Sequence, residues 1–103
     1  MSRRPTGGAA GIVEGIPAMK TIFVMVKCEL GKSYKVADEA VQCLDEVSEV
    51  HSTSGQYDLL MKCYLTDDVD IGHFVVEKLQ KLPGIKDTFT MTAYKAFSED
   101  KSI

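Results

Sequence analysis

The stretch Thr21 to Cys28, TIFVMVKC, narrows the choice of fold more than any other part of the chain. It is of strand length, dense in β-branched and aromatic side chains, and apolar on both faces. Ile22, Val24, Val26 and Cys28 point one way, Phe23 and Met25 the other. A strand wetted on one side alternates apolar with polar residues. This one needs cover on both sides: helices of its own chain on one, and something further on the other. With 103 residues the chain can build one compact domain and not two separately cored ones.

The elements that follow supply the first cover. Gly31, Lys32 and Ser33 offer a turn and an N-cap ahead of YKVADEAVQCLDEV, where Val36, Ala37, Ala40, Val41, Leu44 and Val47 recur at helical spacing. Glu49 to Thr53 reads as a second, more polar strand, and Ser54-Gly55-Gln56 as a hairpin turn whose glycine supplies positive φ. In the third strand, YDLLMKCYL, Tyr57, Leu59, Met61, Cys63 and Leu65 alternate against Asp58, Leu60, Lys62 and Tyr64. Thr66, Asp67 and Asp68 provide capping oxygens for a second helix striped by Ile71, Phe74, Val75, Leu79 and Leu82, which Pro83 and Gly84 stop. The fourth strand sets Ile85, Phe89, Met91 and Ala93 against a face of Thr88, Thr90 and Thr92.

The order βαββαβ predicts a ferredoxin-like α+β fold, a four-stranded antiparallel sheet with both helices on one face, over residues 19–97. The other face keeps an apolar patch, and a homodimer packed sheet to sheet, as in dimeric α/β-barrels, is the economical cover. Residues 1–18, with four Gly and two Pro and no periodicity, read as a disordered leader or an expression remnant. Residues 98–103 read as a frayed tail.

Composition excludes several functions. Twelve Lys plus Arg against fifteen Asp plus Glu gives a charge of -3, so there is no basic field to hold nucleic acid through its phosphates. No apolar run approaches the roughly 20 residues of a membrane span, and no secretory signal is present, so a cytoplasmic location is expected. Cys28, Cys43 and Cys63 are an odd number without a C-x-x-C pair, which points to packed thiols rather than to disulfides or zinc. His51 and His73 lack partners at ligand spacing, so no metal is expected. No G-x-S-x-G, P-loop or G-x-G-x-x-G motif indicates catalytic residues or a cofactor.

Asp58, just after the hairpin turn, can accept from an ammonium group while the N–H groups of Ser54, Gly55 and Gln56 meet a carboxylate, an arrangement suited to a zwitterion. Equally, Asp58 can pair with Lys62 or Lys86 or cap the turn. His51 can hydrogen-bond near a ligand, or simply to backbone or water.

The segment Thr53 to Leu60, TSGQYDLL, followed by Leu82-Pro83-Gly84-Ile85 and by the strand Asp87 to Thr92, resembles the effector-binding RAM domain of the Lrp/AsnC (leucine-responsive, or feast/famine) transcriptional regulators. The resemblance spans residues 19 to 97. It implies dimerisation through the sheets, assembly into octamers or similar rings, and binding of small effectors, commonly amino acids, between dimers. Carried over residue by residue, it places Ser54, Gly55, Gln56, Tyr57 and Asp58 at the effector pocket. His51 and Ser52 fall on the approaching strand, Asp68 and Lys78 on the second helix, and Met91 and Thr92 on the last strand. Regulators of the family carry an N-terminal helix-turn-helix domain, where this sequence has 18 residues before its first strand. The expectation is therefore a stand-alone RAM protein without DNA binding of its own, sensing amino acids alone or by co-assembly with full-length regulators. A small dimeric α/β-barrel enzyme of monooxygenase or isomerase type, using His51 or His73 as acid or base, is the alternative, and a scaffold active only in assembly is a third.

Overall fold

The computed structural model describes residues 18–95 and Phe97; the expected leader, apart from Ala18, and the expected tail lie outside the described residues. The elements run β1 Met19–Cys28, α1 Ser33–Cys43, β2 Val47–Ser52, β3 Leu59–Thr66, α2 Ile71–Phe74 and β4 Ile85–Ala93. α2 continues into a π-helical stretch, Val75–Leu79, closed by the Gln80 N–H donating to the Val75 carbonyl at 2.8 Å. The sheet has the order β2-β3-β1-β4 with each neighbouring pair antiparallel. This is the ferredoxin-like α+β architecture expected from the period changes along the chain.

Burial of the central strands follows the alternation of the sequence. Ile22, Val24, Val26 and Cys28 of β1 and Leu59, Met61, Cys63 and Leu65 of β3 join Val36 and Ala40 of α1 and Phe74, Val75 and Leu79 of the second helix in one core. Directly paired residues of an antiparallel ladder share a face. Phe23 therefore lies between Lys62 and Met91, and Met25 between Leu60 and Phe89, on the face away from the helices. Glu49, His51 and Tyr64 share that open face, while Thr88, Thr90 and Thr92 line the helix side of edge strand β4.

Two bulges change what strict alternation predicts. Lys27 faces Asp87 but Cys28 faces Ile85, so Lys86 is the extra residue and Ile85 turns to the helix side, where it packs on the core instead of joining Phe89 and Met91. The second bulge, between Val47 and Glu49, puts Val47 opposite Cys63 as the buried start of β2 rather than on the end of α1. α1 itself ends at Cys43, which is exposed, unlike Cys28 and Cys63, and Val41 is 48% exposed rather than buried.

The helix starts also differ from expectation. Lys32 occupies the α1 N-cap without a side-chain bond, and the Ser33 hydroxyl bonds the Cys28 thiol instead. Asp68 is spent in the turn before α2, accepting from the Thr66 hydroxyl at 2.5 Å, and Asp70 caps the helix by accepting the His73 N–H at 2.8 Å. Gly84 is needed twice over: its φ is +96°, and a Cβ there would sit 3.0 Å from Val36 Cγ2. Its carbonyl accepts the Glu29 N–H at 2.8 Å, tying the end of the second helix to the β1–α1 turn. Among the described residues no helix is long and apolar enough to cross a membrane.

Candidate functional site

The β2–β3 connection runs from Thr53 to Asp58, three residues longer than the sequence suggests, because β2 ends at Ser52 and β3 begins only at Leu59. Gly55, at φ +105°, makes the reversal at its tip. The base is stitched across itself: the Thr53 N–H donates to the Asp58 carbonyl and the Thr53 hydroxyl to the Tyr57 carbonyl, both at 2.9 Å. It is also fastened to β1. The Asp58 N–H donates to the Val26 carbonyl at 2.8 Å, and the Lys27 ammonium donates to the Gln56 carbonyl at 2.8 Å.

The Asp58 carboxylate takes part in this fastening. Its Oδ2 accepts the Cys28 N–H at 2.8 Å, a donor that the β1–β3 ladder, ending at Val26 and Leu59, leaves beyond its reach. Among the sequence readings of Asp58, this is closest to the structural cap, with the partner on β1 rather than inside the turn and with neither Lys62 nor Lys86 as its mate. Burial pushes the Cys28 thiol upward, the Ser33 hydrogen bond opposes that, and the Asp58 charge adds to it.

Beside the hairpin lies an open pocket of about 430 Å3, lined by Met25, Ser54, Gln56, Tyr57 and Phe89. The Tyr57 ring stacks on Phe89 with centroids 6.3 Å apart and planes 29° apart, so the pocket joins the hairpin to edge strand β4. Among the described residues its lining holds no formal charge: one hydroxyl, one carboxamide and one phenol face a thioether and a phenyl ring. Such a surface can hydrogen-bond a small polar or zwitterionic head and shelter an apolar side chain.

The structure thus brings together Ser54, Gln56 and Tyr57 of the expected site, with Gly55 at the turn between them. Met25 and Phe89 join them although sequence spacing did not single them out. The available signal was their place in the surplus apolar face, but that they meet depends on the β1–β4 register. The other expected residues lie elsewhere. His51 is on the open face of β2, 3.7 Å from Glu49, and Ser52 ends that strand opposite Leu59. Lys78 is engaged with Glu46 at 2.7 Å on the helix side, and Asp68 sits in the turn before α2 rather than on it. Met91 shares the open face with Phe23, whereas Thr92 points to the opposite side of β4. Among the described residues no group of three or more His, Cys, Asp or Glu is placed to hold a metal ion.

Against known proteins, the chain matches the model of the Lrp/AsnC ligand binding domain over residues 21–103. It is 29% identical over 82 residues to an uncharacterized HTH-type transcriptional regulator of Pyrococcus furiosus, aligning 78% of this chain with 55% of that protein. The chain therefore spans about half the length of the curated relatives it matches. Of solved structures, the protein FFRP-DM1 is 34% identical with a TM-score of 0.65, the match covering 73% of this chain and 99% of that one. A transcriptional regulator of Neisseria meningitidis solved as its L-Met complex shares the fold at 22% identity and a TM-score of 0.68, over 91% of this chain and 68% of that one. With its sheet order, its stitched hairpin and this match over most of its length, the chain belongs to the Lrp/AsnC ligand-binding domain family.

Proposed function

We propose that this domain binds a small amino acid in the hairpin pocket and acts as an oligomeric regulatory module. The observation that supports it is the convergence of Ser54, Gln56 and Tyr57 with Met25 and Phe89 around one hollow. The amide, hydroxyl and backbone N–H groups suit the carboxylate and ammonium of an amino acid, and the thioether and rings suit an apolar side chain. The family match and the L-Met complex of the Neisseria regulator lend weight to an amino-acid effector. In this reading Asp58 serves the pocket by holding the hairpin on β1 rather than by touching the ligand.

Oligomerisation is supported by the open face. Phe89 is 52% and Met91 38% exposed beside the half-buried Phe23 and Met25, a patch that a second copy related by a two-fold axis would cover. An effector then acts by its differential affinity for two assembly states, and co-assembly with full-length regulators of the family is the route to transcription.

Calorimetric titration with each of the common amino acids, paired with sedimentation velocity at micromolar protein, tests both parts. One amino acid should bind saturably, and Gln56→Ala and Tyr57→Ala should each weaken it about tenfold. Unchanged affinity in both variants would remove the effector from this pocket. A lone 11.3 kDa particle would remove the oligomer.

A further inference from the structure

A second hollow, of about 380 Å3, opens on the same face of the sheet, towards the start of β1 and the end of β4. From Met25 to Thr21 it lies four residues along β1 from the hairpin pocket, on the order of 13 Å. Phe23, Lys62, Tyr64, Ala93, Tyr94 and Lys95 form its wall. The charge of this wall has the opposite sign to that of the chain. Among the described residues two ammonium groups and no carboxylate line it, in a protein of net charge -3.

The cations stand among rings. Lys62 Nζ lies 5.4 Å from the Tyr64 ring centroid, and Lys95 Nζ lies 5.2 Å from that of Phe97. The ion pair of Lys62 with Glu49 is loose, at 3.8 Å, and an ammonium has three donors to offer. Phe23, Ala93 and the phenol rings give the hollow an apolar body beneath these donors.

We propose that this hollow is a second ligand site, for a flat apolar carboxylate that carries no ammonium group. The two cations pair with the carboxylate and the rings stack on the body of the molecule. An α-ammonium brought into the same hollow would meet the ammonium groups of Lys62 and Lys95, against which the described residues set only Glu49, 3.8 Å from Lys62 at the rim, so a free amino acid is disfavoured where its deaminated counterpart is accepted. The two pockets differ in this respect, the hairpin pocket having an uncharged lining. A second copy packed on the open face would roof this hollow, and loss of water there strengthens the ion pairs.

The matched probes are 3-phenylpropionate and L-phenylalanine, which differ in the ammonium group, titrated into the 15N-labelled full chain and followed by amide resonances. 3-Phenylpropionate should shift the amides of Phe23, Tyr64, Ala93 and Lys95 saturably, and L-phenylalanine at equal concentration should not. Lys62→Ala and Lys95→Ala should each weaken 3-phenylpropionate about tenfold, with Lys95→Arg close to wild type. Lys95 follows the last strand and its loss leaves the core intact, so its arm is informative even if the Lys62 variant misfolds. Equal binding of L-phenylalanine at these amides, equal competition by inorganic phosphate, or unchanged affinity in Lys95→Ala would each overturn the proposal. The amides of Ser54 to Tyr57 report the hairpin pocket separately, so either site can fail alone.

Discussion

The two faces of the sheet are built from the same strands and reach different ends. On the helix side Ile22, Val24, Val26, Met61 and Cys63 are completely buried. On the open side their immediate neighbours Thr21, Phe23, Met25, Leu60, Lys62 and Tyr64 are all half-buried, and both pockets lie there. The chain's own helices complete one face during folding. The apolar content of the other exceeds what the chain's own helices cover, and that surplus is what the proposed association and ligand binding would use.

Substituting one methionine on each face would break this contrast most directly. Met61→Ala opens a cavity in a closed core and should cost about 2–5 kcal/mol in urea unfolding. Met91→Ala, at high dilution, should cost well under about 1 kcal/mol and should instead raise the dissociation constant of the proposed oligomer. Equal destabilisation by both would show that the open face is already closed within one protomer.

Asp58 lies where the faces meet the hairpin, and its variants come next in size. Asp58→Ala leaves the Cys28 N–H without its acceptor and should lose about 1–3 kcal/mol, with faster amide exchange in the hairpin. Asp58→Asn keeps an acceptor oxygen and should recover much of that. A ligand that binds Asp58→Asn far more weakly than the stability change explains would return the carboxylate to the pocket itself.

The buried thiol gives the smallest effect. Burial, helped by the Glu46 charge, pushes Cys63 up to about 12 from an ordinary 9.0. The folded state therefore holds its proton where the unfolded state has lost it. Its stabilising effect is complete below pH 9 and fades as pH rises towards about 12. Between pH 9 and 10 wild type should lose about 1 kcal/mol more than Cys63→Ala does. In the native protein near pH 8, a disulfide reagent should modify exposed Cys43 rapidly and leave Cys63 untouched.

Much of this was legible in the sequence because it depends on period alone. The two-sided β1, the alternation of β3 and the stripe of the second helix each fix a face by local spacing, and the sheet order follows from the βαββαβ succession. What was not legible depends on register. A single extra residue at Lys86 sends Ile85 to the helix side, and one at Ser48 moves Val47 into β2. The same holds for the site. Ser54, Gln56 and Tyr57 were marked by the turn and the family motif, whereas Phe89 reaches them only because β4 pairs with β1 so as to oppose Met25. Asp58 was conspicuous as a carboxylate after a turn, but its partner is a backbone amide thirty residues earlier, which no local pattern announces.

The hairpin's moorings to β1 join the Asp58 N–H to Val26, the Asp58 carboxylate to Cys28 and the Lys27 ammonium to the Gln56 carbonyl, and none of them uses the side chains at 54, 56 or 57. The side chains at 54, 56 and 57 are therefore interchangeable fittings on a fixed bracket. Relatives could exchange them to take a different metabolite while the bracket, and the sheet behind it, stayed as they are.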